Sequence, residues 1–435
     1  MAASLIASRH QLPSLSPIRP LYRLGRNISL SRTRAQPFRM AIDPPPSRHD
    51  RRSFSTTNSS KSPTDSSGPF TFHVAASFTG KDRRFDPTTH VFHFDSSNRF
   101  PQTRGNKSAR PDSGHDAFFV SRVGDTNAVA LGVADGVGGW VDSGVDPADF
   151  SHGLCEYISA AADEYHEDPE DTAESKTPHP PSARSLLQVG YQLVCEDPTI
   201  RAGGSTACVA VAAPDGTLDV ANLGDSGFIQ LRLGAVHAYS EPQTHAFNTP
   251  FQLSVVPPSV AARMAAFGGA QLSDFPRDAD VTHHQLRHGD VLVFASDGVW
   301  DNLFNQDVLR ITRRVMTSSG AWVTTTPGSD GEAVAGDKGE IRVIDDLHAL
   351  TTTQNQPSPS SRSRLPISLQ SVLATEITAA AKAASINSKR DGPFAKDVQK
   401  WYPHENWRGG KIDDIAVVVV VVSDESRAGK LKSKL

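Results

Sequence analysis

Cysteine is scarce. The chain carries three, Cys155, Cys195 and Cys208, and none stands in a CxxC pair. That spacing argues against a disulfide framework and against a structural zinc site, so the three read as small buried hydrophobic residues. Long apolar runs are missing too: nothing reaches the ~18 residues that a membrane-spanning helix needs. The run Val417 to Val422 is short, β-branched and flanked by charge, and reads as a core strand. Positive charge is not in excess. Lys and Arg number 44 against 48 Asp and Glu, a formal net charge of −4, so nucleic acid is not the expected partner. Apolar residues make up 37% of the 435. That is low for a chain packed throughout, so part of the length is expected to lie outside any core.

Acid is absent from residues 1 to 42, which contain seven arginines and six serines. An acid-free leader rich in Arg and Ser, with no apolar centre, has the composition of an organelle transit peptide. The stretch RRSFS, Arg51 to Ser55, resembles a matrix-protease site and places a mature start near Ser55. The expected organisation is a mitochondrial transit segment over 1–54, a linker over 55–69, one domain over 70–425 and a charged tail over 426–435.

Within that domain, FTFHVAASF (from Phe70), NAVALGVAD (Asn127 to Asp135), STACVAVAA, TLDVANLG, GFIQLRLG, DVLVFAS (Asp290 to Ser296) and Ile415 to Val422 read as strands. Turn signals at PDG and GDSG separate the middle three. Helical spacing appears over 147–165, 185–195, 305–316 and 368–386. Two insertions interrupt the pattern, a polar one near 167–183 and a Gly/Ser/Thr/Pro-rich one near 317–366 that reads as a surface loop. Antiparallel-looking strand pairs with long helices between them imply one layered α+β domain.

The chemistry sits in acidic turns: GHDA (Gly114 to Ala117), ADGVGG (Ala134 to Gly139), SDGVWD (Ser296 to Asp301) and KIDDIAV (Lys411 to Val417). In the last three a carboxylate abuts an apolar strand, where an unpaired charge is costly. Several such strand ends brought together would repel one another, and a hard divalent cation with oxygen ligands relieves this. Gly136 leaves its carbonyl available beside Asp135. One Asp-Gly turn means little by itself; the ordered set points to one divalent cation, or two.

That set, GHDAFF, VADGVGGW, GGSTACVAV, ANLGDSGF, SDGVWDN and GGKIDDIAV, resembles the protein phosphatase 2C family of metal-dependent Ser/Thr phosphatases over most of residues 70 to 425. DGVGGW, GVDP, NLGDSGF and THAFNTPFQL are most similar to its mitochondrial branch, which is associated with coenzyme Q biosynthesis. The resemblance implies a four-layer α-β-β-α sandwich with two central antiparallel sheets and two Mn²⁺ or Mg²⁺ ions in a cleft at one end. It implies Asp135 as the bridging carboxylate and Gly136 as a carbonyl ligand. Asp297 and Asp413 would be further ligands, and Asp116 would belong to the second ion's shell. Asp225 and Asp301 match positions of a weaker third ion, and Asp414 replaces a common Asn. Asp135, Asp297 and Asp413 are the residues expected to carry catalysis, by a metal-activated water attacking phosphoserine or phosphothreonine of a protein substrate in line.

Some positions depart from the family pattern. His115 stands where an acid is usual, and either ligates a metal or faces solvent. Val137 replaces a His proposed as general acid, which leaves His152 and His245 as candidates by residue type. The phosphate-gripping Arg has no clear counterpart, although Arg104, Lys107 and Arg110 lie near. Trp140 and Trp300 either wall the cleft or pack. A pseudophosphatase that only binds partners is the alternative reading. A two-metal nucleotidyl transferase would want a basic groove that the composition does not offer.

Overall fold

The computed structural model describes residues 68–96, 106–166, 179–258, 260–262, 274–325, 340–352 and 367–427. The leader, most of the linker, Arg104, residues 167–178 of the first insertion, 326–339 and 353–366 of the second, and the tail from 428 lie outside the described residues.

Eleven strands form two antiparallel sheets. They are β1 (Phe70–Thr79), β2 (Val91–His93), β3 (Asp116–Arg122), β4 (Val129–Asp135), β5 (Ala207–Ala212) and β6 (Thr217–Leu223), followed by β7 (Gly227–Arg232), β8 (Ala235–Tyr239), β9 (Asp280–Gln285), β10 (Val291–Ala295) and β11 (Ile415–Asp424). One sheet runs β2-β1-β11-β10-β7-β8 and the other β9-β6-β5-β4-β3. Four long helices cover them: α1 (Pro147–Asp163), α2 (Ala183–Glu196), α3 (Asn305–Ser318) and α4 (Leu369–Ser385). The result is the expected α-β-β-α sandwich.

Side-chain alternation builds the layers. In β11, Val418, Val420 and Val422 point between the sheets, and Ile415, Val417, Val419 and Val421 point at α3 and α4. A strand buried on both faces reads as an unbroken apolar run, and β-branched residues suit it. β5 repeats the arrangement with smaller residues. Cys208, Ala210 and Ala212 face the other sheet, and Ala207, Val209 and Val211 face α1 and α2. Phe78 of β1 stacks on Phe118 of β3 at 5.5 Å, joining the sheets. α1 starts on Pro147 behind the N-cap Asp146, whose carboxylate accepts from the Ala148 N–H. Phe150, Leu154, Ile158 and Ala162 then face the sheet.

Two expectations need correction. Cys155 and Cys208 are buried, but Cys195 is exposed near the end of α2, because the helix turns that position away from its packed face. The segment near 317–366 is not simply a surface loop in its described part. Trp322–Thr325 pairs with Glu340–Val343, and Trp322 and Leu347 are buried in the layer under α3 and α4. The Ser- and Thr-rich composition hides two apolar anchors. Residues 393–401 form a further helix, Pro393–Trp401.

Trp322 is 1% exposed and donates from Nε1 to the Gly289 carbonyl at 3.2 Å. Trp322→Ala should cost about 3–5 kcal/mol of stability, read as a lower urea midpoint with unchanged slope. A change within measurement error would remove Trp322 from the core.

Candidate metal centre

Both sheets end in aspartate at the same edge. Asp116 opens β3 and Asp135 closes β4, and the two face each other in register. Asp225 lies in the turn between β6 and β7. Asp297 follows β10 and starts a one-turn helix, Asp297–Trp300, with Asp301 just beyond it. Asp413 and Asp414 precede β11. Antiparallel order brings these ends together, since β4, β6 and β10 arrive where β3, β7 and β11 depart.

Backbone approach tightens the cluster at two glycines. A Cβ on Gly136 would stand 2.8 Å from both the His115 and Pro147 carbonyl oxygens. A Cβ on Gly298 would stand 2.0 Å from the Asp414 carbonyl oxygen. Neither position has room for a side chain, and both glycines press an aspartate-bearing strand end against its neighbour. The Asp135 N–H donates to Thr206 Oγ1 at 3.1 Å, and its carbonyl accepts from Ser205 Oγ at 2.8 Å. The backbone is thereby fixed, and the residue as a whole is only partly exposed.

Asp414 has another task. Its Oδ1 accepts from the Lys81 N–H at 2.6 Å and its Oδ2 from the His115 N–H at 2.9 Å. It ties the end of β1 to the start of β3 beneath the cluster, while Asp413 points toward it.

Burial first, and mutual repulsion second, raise the proton affinity of this centre. Burial pushes the Asp135 carboxyl well above its usual range, with Asp297, Asp116 and Asp413 adding repulsion. Burial, then Asp414, does the same to Asp116, and burial dominates at Asp301. Burial and Asp297 carry Asp225 to about 7 and Asp413 to about 6. Asp116 Oδ2 and Asp225 Oδ1 are buried without a hydrogen-bond partner. Oxygen-rich, repelling and incompletely satisfied, the set fits a hard divalent cation. Among the described residues, no three acidic, His or Cys side chains converge on one point as ligands. Asp297, Asp301 and Asp413 converge instead on Lys411, whose Nζ lies 2.6, 2.6 and 3.2 Å from their Oδ2 atoms.

A protein phosphatase 2C family model matches residues 108–322. Protein phosphatase PTC7 homolog of Xenopus laevis is 38% identical over 312 residues, covering 72% of this chain and 82% of that protein. The chain belongs to the protein phosphatase 2C family. Two further relatives are the Saccharomyces cerevisiae Protein phosphatase 2C homolog 7, mitochondrial, and the Schizosaccharomyces pombe 5-azacytidine resistance protein azr1. The first is 29% identical over 359 residues, with 82% of this chain and 84% of that protein covered. The second is 30% identical over 320 residues, with 73% and 84% covered. This phosphatase 2C chain is a protein-serine/threonine phosphatase.

The other candidate residues of the phosphatase 2C chain separate by position. His115 is half-buried with Nδ1 3.7 Å from Asp414 Oδ2; burial, then the nearby Lys81 charge, lowers its pKa. Lys107 and Arg110 are engaged by Asp146 and Asp149 at the start of α1. His152 is buried in α1, and burial takes its pKa down to about 4. His245 pairs with Asp274 at 2.9 Å and stacks on Phe251. Trp140 donates to Gln252, and Trp300 to the Ala295 carbonyl. Lys411 was not among the candidates. Its only sequence signal was its place two residues ahead of Asp413.

Asp225 and Asp413 give the metal-free protein a defined pH response. Their folded-state pKa values lie above the ordinary 3.8, so their protonation favours the fold. That contribution is complete below the ordinary value and is lost as pH rises through about 6 to 7. The melting temperature of the EDTA-treated chain should therefore fall from about pH 5 to about pH 8. Asp225→Asn should flatten the fall, and a parallel slope in that variant would contradict the assignment.

Proposed function

We propose that the chain hydrolyses phosphoserine and phosphothreonine in mitochondrial proteins with divalent metal, Mn²⁺ or Mg²⁺, held by the aspartate centre. The observation that carries this reading is the meeting of Asp116, Asp135, Asp225, Asp297, Asp301 and Asp413 at one sandwich end, with two of their oxygens buried and unpartnered. Asp135, Asp297, Asp413, Asp116 and the Gly136 carbonyl would hold two ions, with Asp225 and Asp301 beside them. When bound, such ions lower the pKa of water and neutralise phosphoryl oxygens.

The protein's part is placement. The fixed backbone of Asp135 holds its carboxylate in the cluster. Asp414 holds the strand ends together, and Gly136 and Gly298 allow the approach. No nucleophilic side chain is called for, since water attacks phosphorus directly.

The address rests on two supports: the acid-free, Arg-rich leader and the yeast relative named mitochondrial. The matrix is the compartment this reading assigns, with residues 1–54 removed on entry and 70–425 forming the phosphatase domain. The motifs shared with the branch associated with coenzyme Q biosynthesis make proteins of that process the first substrates to test.

Phosphate release from a phosphothreonine peptide by the full chain should require Mn²⁺ or Mg²⁺ and stop in EDTA. Asp135→Asn should lower kcat/KM at least about 100-fold, a loss of roughly 2.7 kcal/mol of transition-state stabilisation. A folded chain without turnover in either metal would instead favour a phosphoprotein-binding pseudophosphatase. Residues 1–54 fused to a fluorescent reporter should deliver it to mitochondria. A reporter left in the cytosol would remove the address.

A further inference from the structure

Lys411 has no part in the function just described, yet it is among the most firmly held side chains of the centre. Its backbone is clamped by Asn302, itself 0% exposed. Asn302 Oδ1 accepts the Lys411 N–H at 2.9 Å, and Asn302 Nδ2 donates to the Lys411 carbonyl at 2.8 Å. The Phe394 ring covers the ammonium at 5.1 Å. The Phe394 N–H donates to the Asp301 carbonyl at 3.0 Å, so cover and carboxylate move together. Clamp, cover and three carboxylates come from three separate stretches of chain, around 300, 394 and 413.

The fit is chemical as well as spatial. An ammonium offers one positive charge and three donors, and here it meets three carboxylate oxygens. A divalent ion would use the same oxygens as ligands and bring two charges. The two are alternatives for one space, and Asp225 Oδ1 nearby is buried with no hydrogen-bond partner.

We propose that Lys411 is a resident cation: its ammonium fills the space between Asp297, Asp301 and Asp413 that a divalent ion takes when the lysine is removed, and so limits how many ions the centre loads. This rests on the metal-dependent reading above. Lys411 is then a positioning residue. It fans the three carboxylates and neutralises part of their repulsion before any metal arrives.

The test is equilibrium dialysis of the full chain against Mn²⁺ with metal analysis, on wild type, Lys411→Met and Lys411→Arg. Melting curves in EDTA and in saturating Mn²⁺ accompany it. Wild type and Lys411→Arg should take up two ions and Lys411→Met about one more, as a vacated oxygen site allows. In EDTA, Lys411→Met should melt below wild type, and Mn²⁺ should close the gap. An ordinary structural salt bridge would leave the same gap in both buffers and the same stoichiometry. Equal stoichiometry in wild type and Lys411→Met overturns the inference, as does a third ion in wild type. A Lys411→Met chain that stays unfolded in Mn²⁺ overturns it too. A wild-type chain that binds no Mn²⁺ would fail at the proposed function itself, a result separate from these.

Discussion

Repulsion among aspartates is the constraint that everything else at this end of the molecule answers to. Asp116 and Asp135 sit opposite each other in one sheet, and Asp297 and Asp413 close in from the other. Left to themselves such groups would spread apart or take up protons. Lys411 offsets part of that repulsion, and much of the remaining restraint comes from structure that bears no charge of its own. Valines fill both faces of β11. The aromatic stack of Phe78 on Phe118 joins the sheets, and two glycines let backbones touch where a methyl group would not fit. Asp414 shows how finely this is divided. Its neighbour points to the centre, while its own carboxylate accepts two backbone N–H groups and staples β1 to β3.

Much of this was legible in the sequence. Alternation and apolar runs located β1, β4 to β7, β10 and β11, with ends off by one or two residues, and missed β2, β3, β8 and β9. The order of the acidic turns gave the centre because three of the four join a recognisable strand. What escaped was whatever depends on a partner distant in sequence. Lys411 looks like any charged residue before a strand until Asn302 and Phe394 are placed around it. Trp322 stands in a Ser- and Thr-rich stretch whose composition suggests solvent, and only the packing under α3 and α4 shows it buried. Lys107 and Arg110 read as available cations, yet α1 meets them with Asp146 and Asp149. Cys195 read as core because its residue type usually is, and the helix face decided otherwise.

The same logic links the centre to the segment ahead of β11. Arg390 donates to the Asn302 carbonyl at 2.8 Å, Phe394 holds the Asp301 backbone, and Phe394 in turn meets Phe247 and Trp407. An aromatic group partly open to solvent therefore sits one contact from a carboxylate of the cluster. Shape at the surface and charge at the centre share a framework.

The pairing of β1 with β11 has a consequence for the history of each molecule. Phe70 lies opposite Asp424, so the first strand of the domain waits for the last. A chain emerging from the ribosome, or threading N-terminus first through a translocation pore, carries an incomplete six-stranded sheet until almost all of it has passed. Contacts this distant in sequence form slowly. Asp413 arrives just ahead of the strand that closes the sheet, so the final step of folding and the completion of the acidic centre are one event. A chain cut short by a premature stop would lack both.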